Sequence, residues 1–112
     1  MAVEKFETFE AFWPFYVKEH SIKATRTYHF IGTTAGLLLL LYILSTGNWK
    51  ALPLVLVVSY SFAWLSHFFI EKNRPATFKY PFYSLMGDFR MYFLMLQGKM
   101  SAEVDRIVSK NI

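Results

Sequence analysis

The stretch Ser66-His67-Phe68-Phe69-Ile70-Glu71-Lys72-Asn73-Arg74-Pro75 closes a long apolar run and opens a basic one. His67 and Glu71 are four residues apart, so on a helix they fall one above the other on the same face. With Leu65, Phe68 and Phe69 around it, His67 lies in a segment greasy enough for lipid. An ionisable pair in such a segment needs partners and marks a functional site. The remaining histidines and acids of the chain are the candidates for those partners.

Two charge-free runs lead up to this stretch. Residues 27–49 and 51–70 contain no Lys, Arg, Asp or Glu. Each is long enough to cross a bilayer, which takes roughly 20 apolar residues. Gly32 and Gly36 form a small-xxx-small pair on the face of His29, and Ser59 and Ala63 share the face of His67. Between the runs, Ser45-Thr46-Gly47-Asn48-Trp49 has turn chemistry, with Gly47 suited to cap one helix and Pro53 to the first turn of the next. So short a turn makes the two crossings antiparallel neighbours. The midpoint of His29 and His67 falls at residue 48, inside the turn, which puts both histidines at one depth. Glu71 lies one turn further out, about 6 Å along the axis. His20 ends the preceding segment on the same side. All three histidines of the chain and one carboxylate are thereby expected on one surface of the hairpin.

The flanking segments are amphipathic. Phe9, Phe12, Trp13 and Tyr16 follow one helical face, Pro14 starts or kinks that helix, and Glu10, Lys18 and Glu19 forbid a full crossing. A helix lying in the interface is predicted, with its rings at head-group level. Residues 80–97 are apolar but interrupted by Asp88 and Arg90, which would cost roughly 2.5–3.5 kcal/mol each at mid-bilayer. Pro81 and Gly87 weaken a crossing further, so a half-buried helix covering the site, with Asp88 turned inward, is expected. Ser101 is placed to cap a short tail with Glu103 in its first turn. The predicted fold is an all-α integral membrane protein of one domain, a two-helix transmembrane hairpin flanked by interfacial or amphipathic helices. The elements are expected at about 6–20, 27–46, 51–71, 80–97 and 101–109.

Composition agrees with this class. The 112 residues are 54% apolar and 20% aromatic against 18% charged, too greasy for an ordinary small soluble domain. The absence of cysteine excludes disulfides, thiolate metal sites and cysteine nucleophiles. The net charge of +4 is spread around the apolar runs, which suits anionic head groups and not nucleic acid. The N-terminus carries Glu4, Glu7 and Glu10 with no basic and apolar leader, so no cleaved signal peptide is expected. Lys18, Lys23 and Arg26 precede the hairpin and Lys72, Arg74 and Lys79 follow it, while its turn holds only Lys50. The positive-inside rule therefore sets both termini and the histidines in the cytoplasm, on a bacterial inner membrane or an endoplasmic reticulum membrane.

Imidazoles with one carboxylate suit a divalent transition metal, iron in an oxygenase or zinc in a hydrolase. Lys72, Arg74 and Arg90 are candidates to clamp a substrate carboxylate or phosphate beside it. Tyr16, Tyr28 and Trp64 read as belt and packing residues. No G-x-S-x-G elbow, phosphate-cradling glycine loop or dinucleotide fingerprint is present.

Phe15-Tyr16, Glu19-His20, His29-Phe30-Ile31-Gly32, Ser66 to Ala76, Tyr83-Ser84-Leu85 and Gly87-Asp88-Phe89-Arg90-Met91 form a recognisable pattern. It resembles the small membrane family of 2-hydroxy fatty acid dioxygenases, long catalogued as a domain of unknown function, in its short bacterial-type form. The resemblance implies Fe(II) bound by His20, His29 and His67, with Glu71 as a further ligand or a catalytic base beside the metal; the inward-turned Asp88 is expected behind those ligands. It implies a 2-hydroxy fatty acid and O2 as substrates in fatty acid α-oxidation. Two other readings stand beside it: a non-catalytic membrane module that binds lipid or scaffolds a partner, and a zinc-dependent lipid hydrolase. Iron, nothing or zinc in the purified protein separates the three.

Overall fold

The structure, a computed structural model, describes residues 6–75 and 78–109. Glu4 of the acidic N-terminus and Ala76 at the end of the motif above lie outside the described residues. Every element among the described residues is helical: α1 (Phe9–Lys18), α2 (Lys23–Thr46), a 3-10 turn (Trp49–Ala51), α3 (Leu52–Ser66), a π-helical turn (His67–Glu71), α4 (Pro81–Leu96) and α5 (Met100–Ser109). The chain divides into two compact units, one formed by Ile22–Pro75 and the other by the segments on either side of it.

The first unit is a helical hairpin. α2, with 24 residues, and the continuous Trp49–Glu71 stretch, with 23, are long and apolar enough to cross a membrane. At 1.5 Å per residue each spans about 35 Å, against a hydrocarbon core of about 30 Å. Only 22% and 17% of their most apolar stretches is buried, which is not how the core helix of a soluble domain behaves. Leu38, Leu41, Leu56 and Phe69 are all more than half exposed. Gly47 ends α2 in the left-handed region, φ 73°, and its N–H donates to the Ile43 carbonyl at 2.7 Å. Glycine reaches that conformation without the strain a Cβ brings.

Apart from Ile43, what is buried along the two helices of the hairpin is a strip of small and polar residues. On α2 it includes Thr25, Arg26, His29, Gly32 and Gly36; on α3 it is Ala63 and Ser66, continued by His67. A Cβ on Gly32 would lie 2.6 Å from the Ser59 carbonyl oxygen, and one on Gly36 would overlap Ser59 Oγ. The two helices therefore meet backbone against backbone, the close approach that small residues permit.

The second unit is built by α1, α4 and α5. Phe12, Trp13, Tyr16 and Val17 of α1 form one buried cluster with Met91 of α4 and Met100, Val104 and Ile107 of α5. The aromatic face expected at head-group level is thus turned inward, because α4 and α5 present apolar faces for it to cover. Pro14 lies inside α1 and not at its start. Gly87 meets the Tyr16 ring so closely that a Cβ there would fall 2.8 Å from it. Trp13 Nε1 donates to Glu103 Oε2 at 2.6 Å, and Arg106 pairs with the same carboxylate at 2.9 Å. Ser101, expected to cap α5, sits inside its first turn, which begins at Met100. On α4 the strip Ser84, Gly87 and Met91 is buried, while Phe82, Leu85, Met86, Phe89, Phe93 and Leu96 are exposed along another face.

Filling the glycine contact should open the hairpin. Gly36→Leu is expected to destabilise the protein in detergent by ~1–3 kcal/mol or more, as overpacking does. Leu41→Ala, on the exposed side, should leave the melting temperature within a degree or two. Thermal melts of both variants check this.

Candidate metal centre

The end of α3 positions His67. From His67 to Glu71 the helix widens into a single π-helical turn. Such turns are rare and frequently mark functional sites. Lys72 follows in the left-handed region, φ 61°, the one described non-glycine residue with positive φ. This reverses the chain so that the backbone N–H groups of Lys72 and Asn73 both donate to the His67 carbonyl, the latter at 2.9 Å. The loop is wound tightly enough to bring the Asn73 amide oxygen 2.7 Å from His67 Nδ1. An amide oxygen only accepts, so Nδ1 of His67 carries the proton and its Nε2 presents a lone pair.

That lone pair faces a second imidazole. His29 Nε2 lies 3.2 Å from His67 Nε2, with the ring planes at 85°. Both residues are buried, His29 at 6% exposure and His67 at 2%. The glycine contact one to two turns along α2 is what lets the two helices carry these rings so close together. Two nitrogens 3.2 Å apart, each about 2.0–2.1 Å from one metal ion, subtend about 100° at that ion. This lies between the octahedral cis and tetrahedral angles. The pair therefore suits two cis ligands of one divalent cation, and the Asn73 bond behind His67 is the kind that fixes a metal-binding imidazole.

Glu71 does a different job in the structure from that of a simple ligand. Its Oε2 accepts the backbone N–H of Ile22 at 2.9 Å, tying the π turn to the residue that caps α2. Lys72 and Arg74 are exposed on the same loop, either side of Asn73. Arg26, read from sequence as a head-group flank, is instead buried at 6% exposure. It lies three residues before His29, which puts it on the buried strip of α2.

The other candidate site residues lie in the second unit. His20 follows the C-terminus of α1, is buried, and sets Nδ1 2.7 Å from the Tyr16 carbonyl. The Tyr16 ring stacks on it at 4.0 Å, and the Tyr16 hydroxyl donates to Asp88 Oδ1 at 2.5 Å. Asp88 thus stands behind His20 by way of Tyr16, which reads in the sequence as a belt and packing residue. Burial pushes the Asp88 carboxyl up to about 7, against the opposing pull of the Tyr16 hydrogen bond. Arg90 pairs with Glu10 at 3.1 Å and lies over the Trp13 ring, 4.6 Å from its centroid, so its guanidinium is engaged within its own unit.

The family model described as "2-hydroxy-palmitic acid dioxygenase Mpo1-like" matches residues 6–100. The chain belongs to the Mpo1-like family. No curated protein and no solved structure matches it.

In this Mpo1-like chain the residue that sequence reasoning missed at the centre is Asn73. It stood inside the motif, but its role depends on the π turn and the left-handed Lys72, neither of which periodicity signals. Asn73→Ala should leave His67 free to change tautomer and lower affinity for Fe(II) or Zn(II) by about 10–100-fold. Asn73→Asp, which keeps an acceptor, should lose less. Metal titrations of the two detergent-purified variants make the comparison.

Proposed function

We propose that the protein is a membrane-embedded, Fe(II)-dependent dioxygenase that shortens 2-hydroxy fatty acids by one carbon. The observation that carries this reading is the buried His29–His67 nitrogen pair with Asn73 fixing one ring, in a chain of the Mpo1-like family. Bound ferrous iron would supply open coordination positions for a chelating 2-hydroxy acid and for O2. The overall change balances without a further cofactor: the 2-hydroxy acid and one O2 give the acid one carbon shorter, CO2 and one water, with O2 accepting four electrons.

The chain's own residues then have distinct tasks. His29 and His67 hold the metal. His20 is the third ligand in this reading, and chain length supports it. Two residue steps separate His20 from Ile22, which is at most about 7 Å of extended backbone, and the Ile22 N–H is bonded to Glu71. Glu71 acts from behind the pair, fastening the π turn to the start of α2 and standing ready to take the substrate hydroxyl proton. Asp88, through Tyr16, steadies His20. In this reading the exposed Lys72 and Arg74 attract the acid's carboxylate, with Arg90 available only if it releases Glu10. The acyl tail lies along the apolar outer surface of a hairpin that crosses the bilayer, with termini and metal on the cytoplasmic side.

Detergent-purified protein supplied with Fe(II), O2 and carboxyl-labelled 2-hydroxy-palmitic acid should release labelled CO2 and the acid one carbon shorter. His29→Ala and His67→Ala should each lose iron and more than about 100-fold of this activity while remaining folded. Iron-loaded protein that releases no CO2, or a preparation that holds zinc and hydrolyses lipid esters, would contradict the proposal.

A further inference from the structure

Thr25 is fully buried at 0% exposure, and its Oγ1 has no hydrogen-bond partner among the described residues. Threonine in a helix ordinarily donates back to a carbonyl of the preceding turn. Thr27, two residues on, does so, bonding the Lys23 carbonyl at 3.1 Å. A buried hydroxyl left without any partner is uncommon and calls for a missing water, ion or ligand.

Its position on α2 says which. Ile22, Thr25 and His29 follow the i, i+3, i+7 spacing of one helical face. Ile22 is bonded to Glu71 at one end of this strip, and His29 is paired with His67 at the other. Side chains on a helix lean toward its N-terminus, so the His29 ring leans toward the turn that carries Thr25. The unpartnered hydroxyl is therefore one turn from the nitrogen pair, about 6 Å along the axis, on the strip that faces the π turn. Nothing in the family's motif as read from sequence assigned it a role.

We propose that the Thr25 hydroxyl is the hydrogen-bond donor to the carboxylate of the 2-hydroxy acid when that acid occupies the centre, a reading that rests on the function proposed above. A carboxylate taken out of water needs donors, and a hydroxyl bonded to a charged oxygen makes the stronger class of hydrogen bond. Thr25 is a substrate-binding residue in this account and does not hold the metal.

The test uses the full chain in detergent and three variants. Thr25→Val keeps the shape and removes the hydroxyl, Thr25→Ser keeps the hydroxyl, and Thr25→Ala replaces the valine variant if valine is not tolerated. The melting temperature of the metal-free protein, iron stoichiometry, and the Kd of 2-hydroxy-palmitic acid for the Fe(II)-loaded protein without oxygen are measured. Thr25→Val should melt at the same temperature or higher, because it removes a polar group with no partner. It should hold iron as the parent does and bind the acid about 10- to 100-fold more weakly, and Thr25→Ser should restore the affinity. An unchanged Kd in a folded variant that holds iron as the parent does overturns the proposal while leaving the dioxygenase reading intact. Parent protein that holds iron but not the acid overturns both.

Discussion

The approach of His29 Nε2 to His67 Nε2 is the contact on which the rest of the hairpin depends. Imidazoles on neighbouring helices come within 3.2 Å only if the helix axes are close, and here they are close because Gly32 and Gly36 have no Cβ to keep Ser59 away. In the bilayer crossing proposed above there would be little hydrophobic drive to press two apolar helices together, so their association would rest on van der Waals contact and polar bonds across the interface. The glycine contact and the histidine pair are therefore mutually supporting. The close packing sets the distance, and the polar pair gives the packed arrangement its register.

The loop after α3 adds direction to that proximity. A π turn, a left-handed Lys72 and two backbone N–H groups on one carbonyl form a strained corner. Positive φ at a non-glycine residue costs about 1–2 kcal/mol and persists where surrounding structure demands it. Here the return is the Asn73 oxygen on His67 Nδ1 and the Glu71 carboxylate on Ile22 N–H, which together orient one imidazole and fasten both helices at that end. The second unit repeats the pattern around His20, where Tyr16 supplies a stacked ring and a carbonyl and passes its hydroxyl to Asp88.

Much of the hairpin was legible because lipid-compatible helices obey simple rules. Charge-free length gave the two long helices, Gly47 gave the turn, and counting outward from that turn placed His29 opposite His67. The small-residue face followed from period alone. Other features were not legible, each for a physical reason. The aromatic face of α1 reads the same whether it meets head groups or a protein core, and only the apolar faces of α4 and α5 decide. Arg26 carries the same charge as Lys23, yet three residues before His29 it falls on the buried strip. Asn73 and Thr25 are ordinary polar residues in sequence, and their significance comes from a widened helical turn and from a bond that is not made.

X-ray absorption at the iron edge of detergent-purified, Fe(II)-loaded protein tests the central claim most directly. The account predicts nitrogen scatterers at about 2.0–2.2 Å with the multiple-scattering pattern of at least two imidazoles, reduced in His29→Ala and in His67→Ala. A spectrum with only oxygen scatterers, or one that neither substitution changes, would place the metal elsewhere and contradict it.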